Sequence, residues 1–574
     1  MSLSASMWTS VSGLLTHGEK MNIIGNNLAN VSTVGFKAQR ADFADFLYTD
    51  YGTTSGREQI GKGTGIAAII GDFSQGSFES TNSGTDLAIN GNGFFKVNDE
   101  YGRSFYTRAG DFYFNEKREL QNPSGLILQG WRVAEDTSVS YSKGTATISQ
   151  DDGQVQHKGT VTDIVLDKWN LPPKATKNVT IADNLVNNDI YDKSTSSTSP
   201  LTALFSSWQG NKVPPISDSA YATQSSVAVY DESGSVHNLT VYMDKVKRST
   251  ADYTIEGMPP GYSMYEYLVT MDPSEDMRSY GGTYDPSTGV LTGATNFYDA
   301  TGTATKATAG VLMTGVMIFD SSGQLVSQTG YTYGAGQETT ANTQCALDPD
   351  DLSSWQATKF SNNGLPVFTA NFTGKALANS VSEEDSENSI IELDFGLRTS
   401  GSTWDKTGSL ADLAADSGIV DYNRLALMTN THLGNHATTN DSSSFMTDIQ
   451  SDGYAAGLLS NYNFTETGVL YGYYSNGENI PLYQLALYDF PNQQGLYREG
   501  GNLYTPTNES GYAKEDVPGK GTLGTISSYY IENSNVDMSR EFVHMISTQR
   551  GFQANSKSIT TTDTMLETVI GMKR

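Results

Sequence analysis

Residues 26–43 read "NNLANVSTVGFKAQRADF". Apolar residues recur in register before this stretch, and here asparagines and a Gly-Phe-Lys step break the pattern. Asparagine side chains bond to nearby backbone, so they suit caps and turns more than a helix interior. Gly35 can take positive φ, so the helix is expected to terminate there and the chain to turn away. Upstream, Met7, Leu14, Met21 and Leu28 stand seven apart, and near the other end so do Met545, Phe552, Ile559 and Leu566. A seven-residue apolar period on a 3.6-residue helix implies a seam that wraps a partner with left-handed supercoil.

The flanking rows are apolar only at their ends: Leu3, Ser10, His17, Ile24 and Val31 in one, Phe542, Gln549, Ser556, Asp563 and Ile570 in the other. Gly13, Gly18 and Gly25 each cost about 1 kcal/mol relative to alanine inside a helix. Ser534-Asn535-Val536-Asp537 reads as a capping box opening the second helix. A two-helix pair this polar is marginal alone. Both ends are therefore expected to become helical only when many copies pack together.

The 574 residues suffice for three or four domains with sizeable cores. A net charge of −28 disfavours nucleic acid, which needs a basic face. Residues 1–40 carry three basic groups against one acidic, and residues 537–574 five against four. All the net acid thus sits between the ends, which suits a solvated exterior. No run of eighteen apolar residues argues for a membrane span. Ser10, Ser12, His17 and Glu19 interrupt the N-terminal apolar pattern, so a cleavable signal peptide is not expected. The single cysteine, Cys345, excludes an intrachain disulfide and reads as a small hydrophobe.

The middle reads as β. "GREQIGKGTGIAAIIGDFSQGSFESTNSGTDLAINGNGFFKV" is a Gly-rich extended connector, and its glycine steps lack the Lys-Ser/Thr of a phosphate loop. "RSFYTRAGDFYFNEKRELQNPSGLILQGWRV" alternates as a meander. "SVAVYDESGSVHNLTVYM" and "GVMIFDSSGQLVSQTGY" each read as a strand, an Asp-x-Ser-Gly turn and a second strand, the grammar of a hairpin. Motifs for catalysis are missing: no G-x-S-x-G, P-loop, H-E-x-x-H or cysteine pair occurs. His432 and His436 have metal spacing only if helical, and the intervening Gly-Asn argues against that. Glu383, Glu384, Asp385 and Glu387 lack EF-hand spacing and read as a solvated loop. Neither enzyme chemistry, cofactor nor metal is expected.

Three stretches resemble the bacterial flagellar rod–hook–axial family. They are "NIIGNNLANVSTVGFKAQRADF", then "TDLAINGNGFFKV" with "YTRAGDFYFN", and "YIENSNVDMSREFVHMISTQRGFQANSKSITTTDTMLETVIGMKR". Asn30, Thr33, Gly35, Phe36 and Lys37 match the N-terminal motif, and Ser534, Asn535, Val536, Asp537, Gln549, Arg550, Phe552 and Asn555 the C-terminal one. Some three hundred residues between the conserved ends, including "KWNLPPKATKNVTIADNL" and "SSWQATKFSNNGLPVF", resemble the hook-type β-domain.

The resemblance implies a multi-domain chain: an α-helical coiled-coil domain formed by both ends, with all-β outer domains inserted in series. The expected domains are 1–45 with 530–574 (paired helices), 46–88 (connector), and 89–155 with 445–529 (inner β-domain). Residues 156–220 with 310–444 form a hook-type outer β-domain, and 221–309 an additional outermost insertion. It further implies a self-polymerising tube in the extracellular hook of the flagellum. Its expected partners are distal rod, hook cap and hook–filament junction proteins, with type III export. A distal-rod-like or junction protein is the alternative within the family, and an exported β-rich adhesin or glycan hydrolase the alternative outside it.

Overall fold

Among the described residues three α-helices form; apart from a few short 3-10 turns the rest of the regular structure is strand, as the Gly-, Ser- and Thr-rich middle dictates. The computed structural model describes residues 3–46, 48–53, 56–133, 157–188, 192–193, 196, 199–280, 283–285, 290–292, 295–299, 303–334, 348–373, 390–401, 403–414, 418–434, 437–440 and 445–572. Cys345, His436 and the acids Glu383, Glu384, Asp385 and Glu387 lie outside the described residues. The chain divides into two units, one of residues 1–137, 151–169 and 459–574, the other of 138–150 and 170–458.

The first unit opens with α1, Leu3–Ala29, and closes with α3, Met538–Met572. Between them β1 (Gln39–Asp45) pairs antiparallel with β4 (Thr64–Gly71), and β2 (Tyr48–Thr53) with β3 (Gly56–Gly61). Part of the expected extended connector is thus a pair of ribbons, because its β-branched and aromatic residues find cross-strand partners. Its antiparallel sheet interleaves strands from both halves of the chain, in the order Val469–Tyr474, Asn479–Leu485, Ile127–Val133, Phe94–Asn98, Ser104–Thr107, Leu503–Thr505 and Tyr497–Gly500. Phe94, Tyr106, Tyr488, Phe490 and Tyr504 form its aromatic core, with ring centroids 4.9–5.6 Å apart between Phe94 and Tyr504 and between Tyr106 and Phe490.

The second unit is built on two sheets. One runs Thr223–Tyr230, Val236–Val246, Ser263–Met271, Val311–Phe319, Tyr331–Tyr333 and Trp355–Ala357, with Leu325–Gln328 beside Val311–Phe319. The two expected hairpins are both in it. The strands at 223–271, expected of a separate outermost insertion, share this sheet with strands at 311–333, expected of the hook-type domain. Ser263–Met271 and Val311–Phe319 are buried along their whole length, so both faces of the sheet are covered. Tyr265, Tyr267 and Val269 enter one core with Val179, Ile181 and Leu185 of the strand Asn178–Val186, which belongs to the other sheet with Val367–Thr369, Ile390–Asp394, Thr438–Asn440 and Phe445–Ser451. Met264 and Leu268 enter another with Trp208, Phe297 and Trp355. His432 lies on a short strand, Thr431–Leu433, rather than a helix, so the metal spacing has no helical basis.

One buried acid stands out. Glu266 accepts from the backbone of Leu204 at 2.9 Å and of Phe205 at 3.4 Å, at the start of α2 (Ala203–Ser207). Burial pushes its carboxyl up to about 8, and the neighbouring Asp244 adds to the rise. The folded chain therefore holds this proton more tightly than the unfolded one. Stability from it is complete below the ordinary 4.5 and is lost as pH rises through 8. Glu266→Gln is expected to remove a fall of at most about 1.4 kcal/mol per pH unit across that window. Urea unfolding of the second unit at pH 5 and pH 8 checks this.

Candidate assembly interface

The two terminal helices lie side by side and antiparallel. Ser10 Oγ donates to Ser558 Oγ at 2.9 Å. A Cβ on Gly13 would stand 2.7 Å from Asn555 Nδ2, and one on Gly551 2.6 Å from His17. Gly13 and Gly551 are therefore what lets the backbones approach, which offsets their poor helix propensity. Thr16, Ile24, Thr548 and Thr562 on the two helices are buried as well. Along α1 the line steps 10, 13 and 17, a heptad-like spacing with small and polar side chains.

The expected apolar rows lie beside this line rather than on it. Met7, Leu14, Met21, Leu28, Met545, Ile559 and Leu566 are half-buried, and Phe552 is exposed. Further apolar side chains are exposed: Trp8 is 73% exposed, Val543 66% and Ile570 67%, with Leu15, Phe542, Ile546, Val569 and Met572 also exposed. An apolar surface of this extent marks an interaction site. Among the described residues no helix is long and apolar enough to cross a membrane, and no group of three metal-donor side chains occurs.

Behind the helices the motif residues converge in one joint. α1 ends at Ala29, six residues before Gly35, because the asparagines take over its last carbonyls. Asn30 Nδ2 donates to Asn26 O at 2.9 Å, and Thr33 Oγ1 donates to Asn30 Oδ1 at 3.1 Å. Gly35 instead makes the turn into the joint, with φ +68° and its N–H donating to Glu532 O at 2.7 Å. A Cβ there would stand 2.5 Å from Ala109 N, so Gly35→Ala combines backbone strain with a clash. It is expected to cost about 1–3 kcal/mol or more, read as a lowered midpoint for the first unit in urea.

Lys37 follows, wholly buried. Its Nζ donates to Glu532 Oε1 and to Ser74 O, each at 2.7 Å, and Gly76 N donates to the same carboxylate at 2.8 Å. The Arg108 guanidinium stands 3.5 Å from Glu532 Oε2 and donates to Gly91 O at 2.7 Å. Burial lowers the Lys37 ammonium, and Glu532 pulls it part of the way back; Arg108 is lowered by the same cause. Asn535 stitches the two chain ends. Its Oδ1 accepts from Ala38 N at 2.8 Å, and its Nδ2 donates to Asp72 O at 2.9 Å. Phe36, Ser534 and Val536 are buried as well.

The capping box is not made. Ser534 Oγ accepts only from Val536 N, whereas Asp537 Oδ1 accepts from Ser539 N at 2.8 Å and Arg540 N at 3.2 Å. Asp537 is itself the N-cap, because a short carboxylate reaches the second and third amides without a distant hydroxyl. Gln549 and Arg550 are exposed on α3, while Asn555 faces Gly13.

Sequence reading did not find Glu532, Arg108, Asn27, Arg498 or Asn502. Asn27 is buried and exchanges both bonds with the Gln39 backbone, at 2.7 and 2.9 Å. Arg498 and Asn502 hold Lys37 O and Val34 O, at 3.1 and 2.7 Å. The available signal was Lys37 beside Phe36, a cation next to an apolar residue that implies a buried anion.

Four family models match successive stretches: "Flagella basal body rod protein" at 7–37, "Flagellar hook protein FlgE/F/G D1 domain" at 88–184, "Flagellar basal body protein FlaE D2 domain" at 193–454 and "Flagellar basal body rod FlgEFG protein C-terminal" at 527–572. The flagellar hook protein FlgE of Borreliella burgdorferi is 27% identical, with 99% of each chain covered. That of Escherichia coli is 26% identical, with 98% of each covered. A Helicobacter pylori hook protein structure, FlgE2, overlays on 79% of this chain at 12% identity with a TM-score of 0.40, too loosely to weigh. With its ends, its inner stretch and its long middle each matched, and its relatives aligned from end to end, the chain belongs to the hook proteins of the flagellar rod and hook family.

Proposed function

We propose that this chain is a structural, non-catalytic subunit of the bacterial flagellar hook that polymerises with copies of itself. The observation that carries the reading is the uncovered apolar surface of the paired terminal helices, headed by Trp8, Val543 and Ile570, in a chain with hook-protein relatives along its full length. Neighbouring copies cover that surface. The heptad rows at Met7, Leu14, Met21, Leu28 and Met545, Phe552, Ile559, Leu566 then become the seam of a coiled-coil inner layer, with the β-domains outside it. The joint of Lys37, Arg108 and Glu532 holds the helices to the strands.

Such a tube couples motor to filament. Bending it while it rotates requires each row of subunits to lengthen and shorten once per turn. Interdigitated apolar residues hold the inner layer, while wet polar contacts exchange between the acidic outer parts. The partners are the distal rod, hook cap and hook–filament junction proteins, and the subunit leaves the cell through the flagellar type III apparatus. Electron microscopy of the purified, polymerised chain tests the reading. Curved, supercoiling tubes support it; straight tubes mean a rod-like connector, and a monodisperse monomer at every concentration contradicts it.

A further inference from the structure

His17 stands where three elements of the first unit meet. Its ring packs on Gly551 of α3, where an added Cβ would come within 2.6 Å of both Cε1 and Nε2. Its other neighbour is Phe43 of β1, edge-on with ring centroids 5.7 Å apart. The β1–β4 ribbon is tied to α1 on either side of this point. Thr64 N donates to Ser12 Oγ at 3.2 Å, and Asn27 exchanges its two bonds with the Gln39 backbone. His17 Nδ1 is closed off from solvent and has no hydrogen-bond partner among the described residues.

A neutral ring fits this place. With the proton on Nε2, Nδ1 is only an unused acceptor; a second proton makes it a buried donor carrying positive charge. Among the described residues no acid is placed to offset that charge. On α1, Glu19 is exposed and accepts from Asn22, while the Lys20 ammonium lies over the same Phe43 ring at 5.4 Å. On β1, Asp42 pairs with Arg40 and Asp45 is exposed; β4 has no charged residue. On α3, Arg550 is exposed and His544 lies about two turns from Gly551. Burial, and then the Lys20 ammonium, hold the imidazole below its ordinary 6.5. The packed form therefore binds this proton more weakly than the open one. Stability from the contact is complete above 6.5 and is lost as pH falls below it.

We propose that His17 is a pH-sensitive switch of the helix pair: its neutral ring lets α3 and the β1–β4 ribbon close on α1, and its imidazolium parts them. The paired helices are the layer that neighbouring copies complete, so the polymer loosens in mild acid and reforms when the acid is removed. The inference rests on the self-assembly reading and adds the condition under which assembly holds.

The test polymerises the full chain at pH 7.5, brings it to pH 5.5, and measures the subunit left in the supernatant after sedimentation at each. For the parent that concentration is expected to rise several-fold, up to about tenfold. That is the most one proton per subunit can give over this range when the open form titrates at 6.5. His17→Gln stays polar but cannot take the proton, and should lose the rise; His544→Gln should keep it. A parent polymer that does not respond, or a His17→Gln rise equal to the parent's, overturns the switch and leaves the self-assembly reading standing. If His17→Gln does not polymerise, hydrogen exchange on the parent polymer, corrected for the intrinsic rate, takes its place. Faster exchange at pH 5.5 in residues 10–24 and 544–558, with the β-strands unchanged, supports the switch, and equal exchange at both pH values overturns it. Failure of the parent to polymerise at pH 7.5 overturns both.

Discussion

Glu532→Ala is expected to destabilise the first unit by about 3–5 kcal/mol, the range found when one member of a buried ion pair is removed. The carboxylate is fully buried, accepts from the Lys37 ammonium at 2.7 Å and the Gly76 amide at 2.8 Å, and lies 3.5 Å from the Arg108 guanidinium. Without it, Lys37 can shed its proton, since burial already lowers its ammonium. Arg108 cannot, and remains a buried cation facing the carbonyls of Ile89 and Gly91 and the Phe94 ring, with no anion. Adding Lys37→Met should recover part of the loss, because the penalty lies in the unpaired charge rather than in the missing contact. Urea titrations of the three chains check both statements. A loss below about 1 kcal/mol would mean that the pair behaves as if exposed to water.

Ile546→Asp or Trp8→Asp is expected to abolish assembly while leaving both units folded. Each side chain is largely exposed in the subunit, so the substitution opens no cavity and strands no polar group. On the proposed assembly face a neighbouring copy covers the same position, and an unpaired carboxylate there must give up its water. A penalty of about 2.7 kcal/mol raises the concentration needed for assembly roughly 100-fold. Sedimentation of the variants and the parent under polymerising conditions measures it, with circular dichroism as the folding check. Pelleting at the parent's concentration would show that this face stays wet.

The terminal helices, the turn at Gly35 and the hairpins at 223–246 and 311–328 were legible because period and turn chemistry are local. What escaped is what depends on contacts hundreds of residues away. Glu532 lies 495 positions from Lys37, and nothing near it in the chain announces the pairing. The apolar heptads drew attention to Met7 and Leu14, yet within one subunit the closest line runs through Ser10, Gly13 and His17. Small and polar residues do not register as a seam, although glycines that cost helix propensity are a sign of close packing. The box at Ser534 failed for a local reason: Asp537 was a sufficient cap in its own right.

The account depends on the terminal helices being completed by other copies, whereas the two β-rich units hold themselves together. Hydrogen exchange, resolved by peptide, on the dilute chain and on its polymer addresses this directly. Residues 3–29 and 538–572 should exchange quickly in the dilute chain and become strongly protected in the polymer. The strands at 94–133 and 223–333 should be protected alike in both. Helical segments already protected in the dilute chain, and unchanged on polymerisation, would contradict the account.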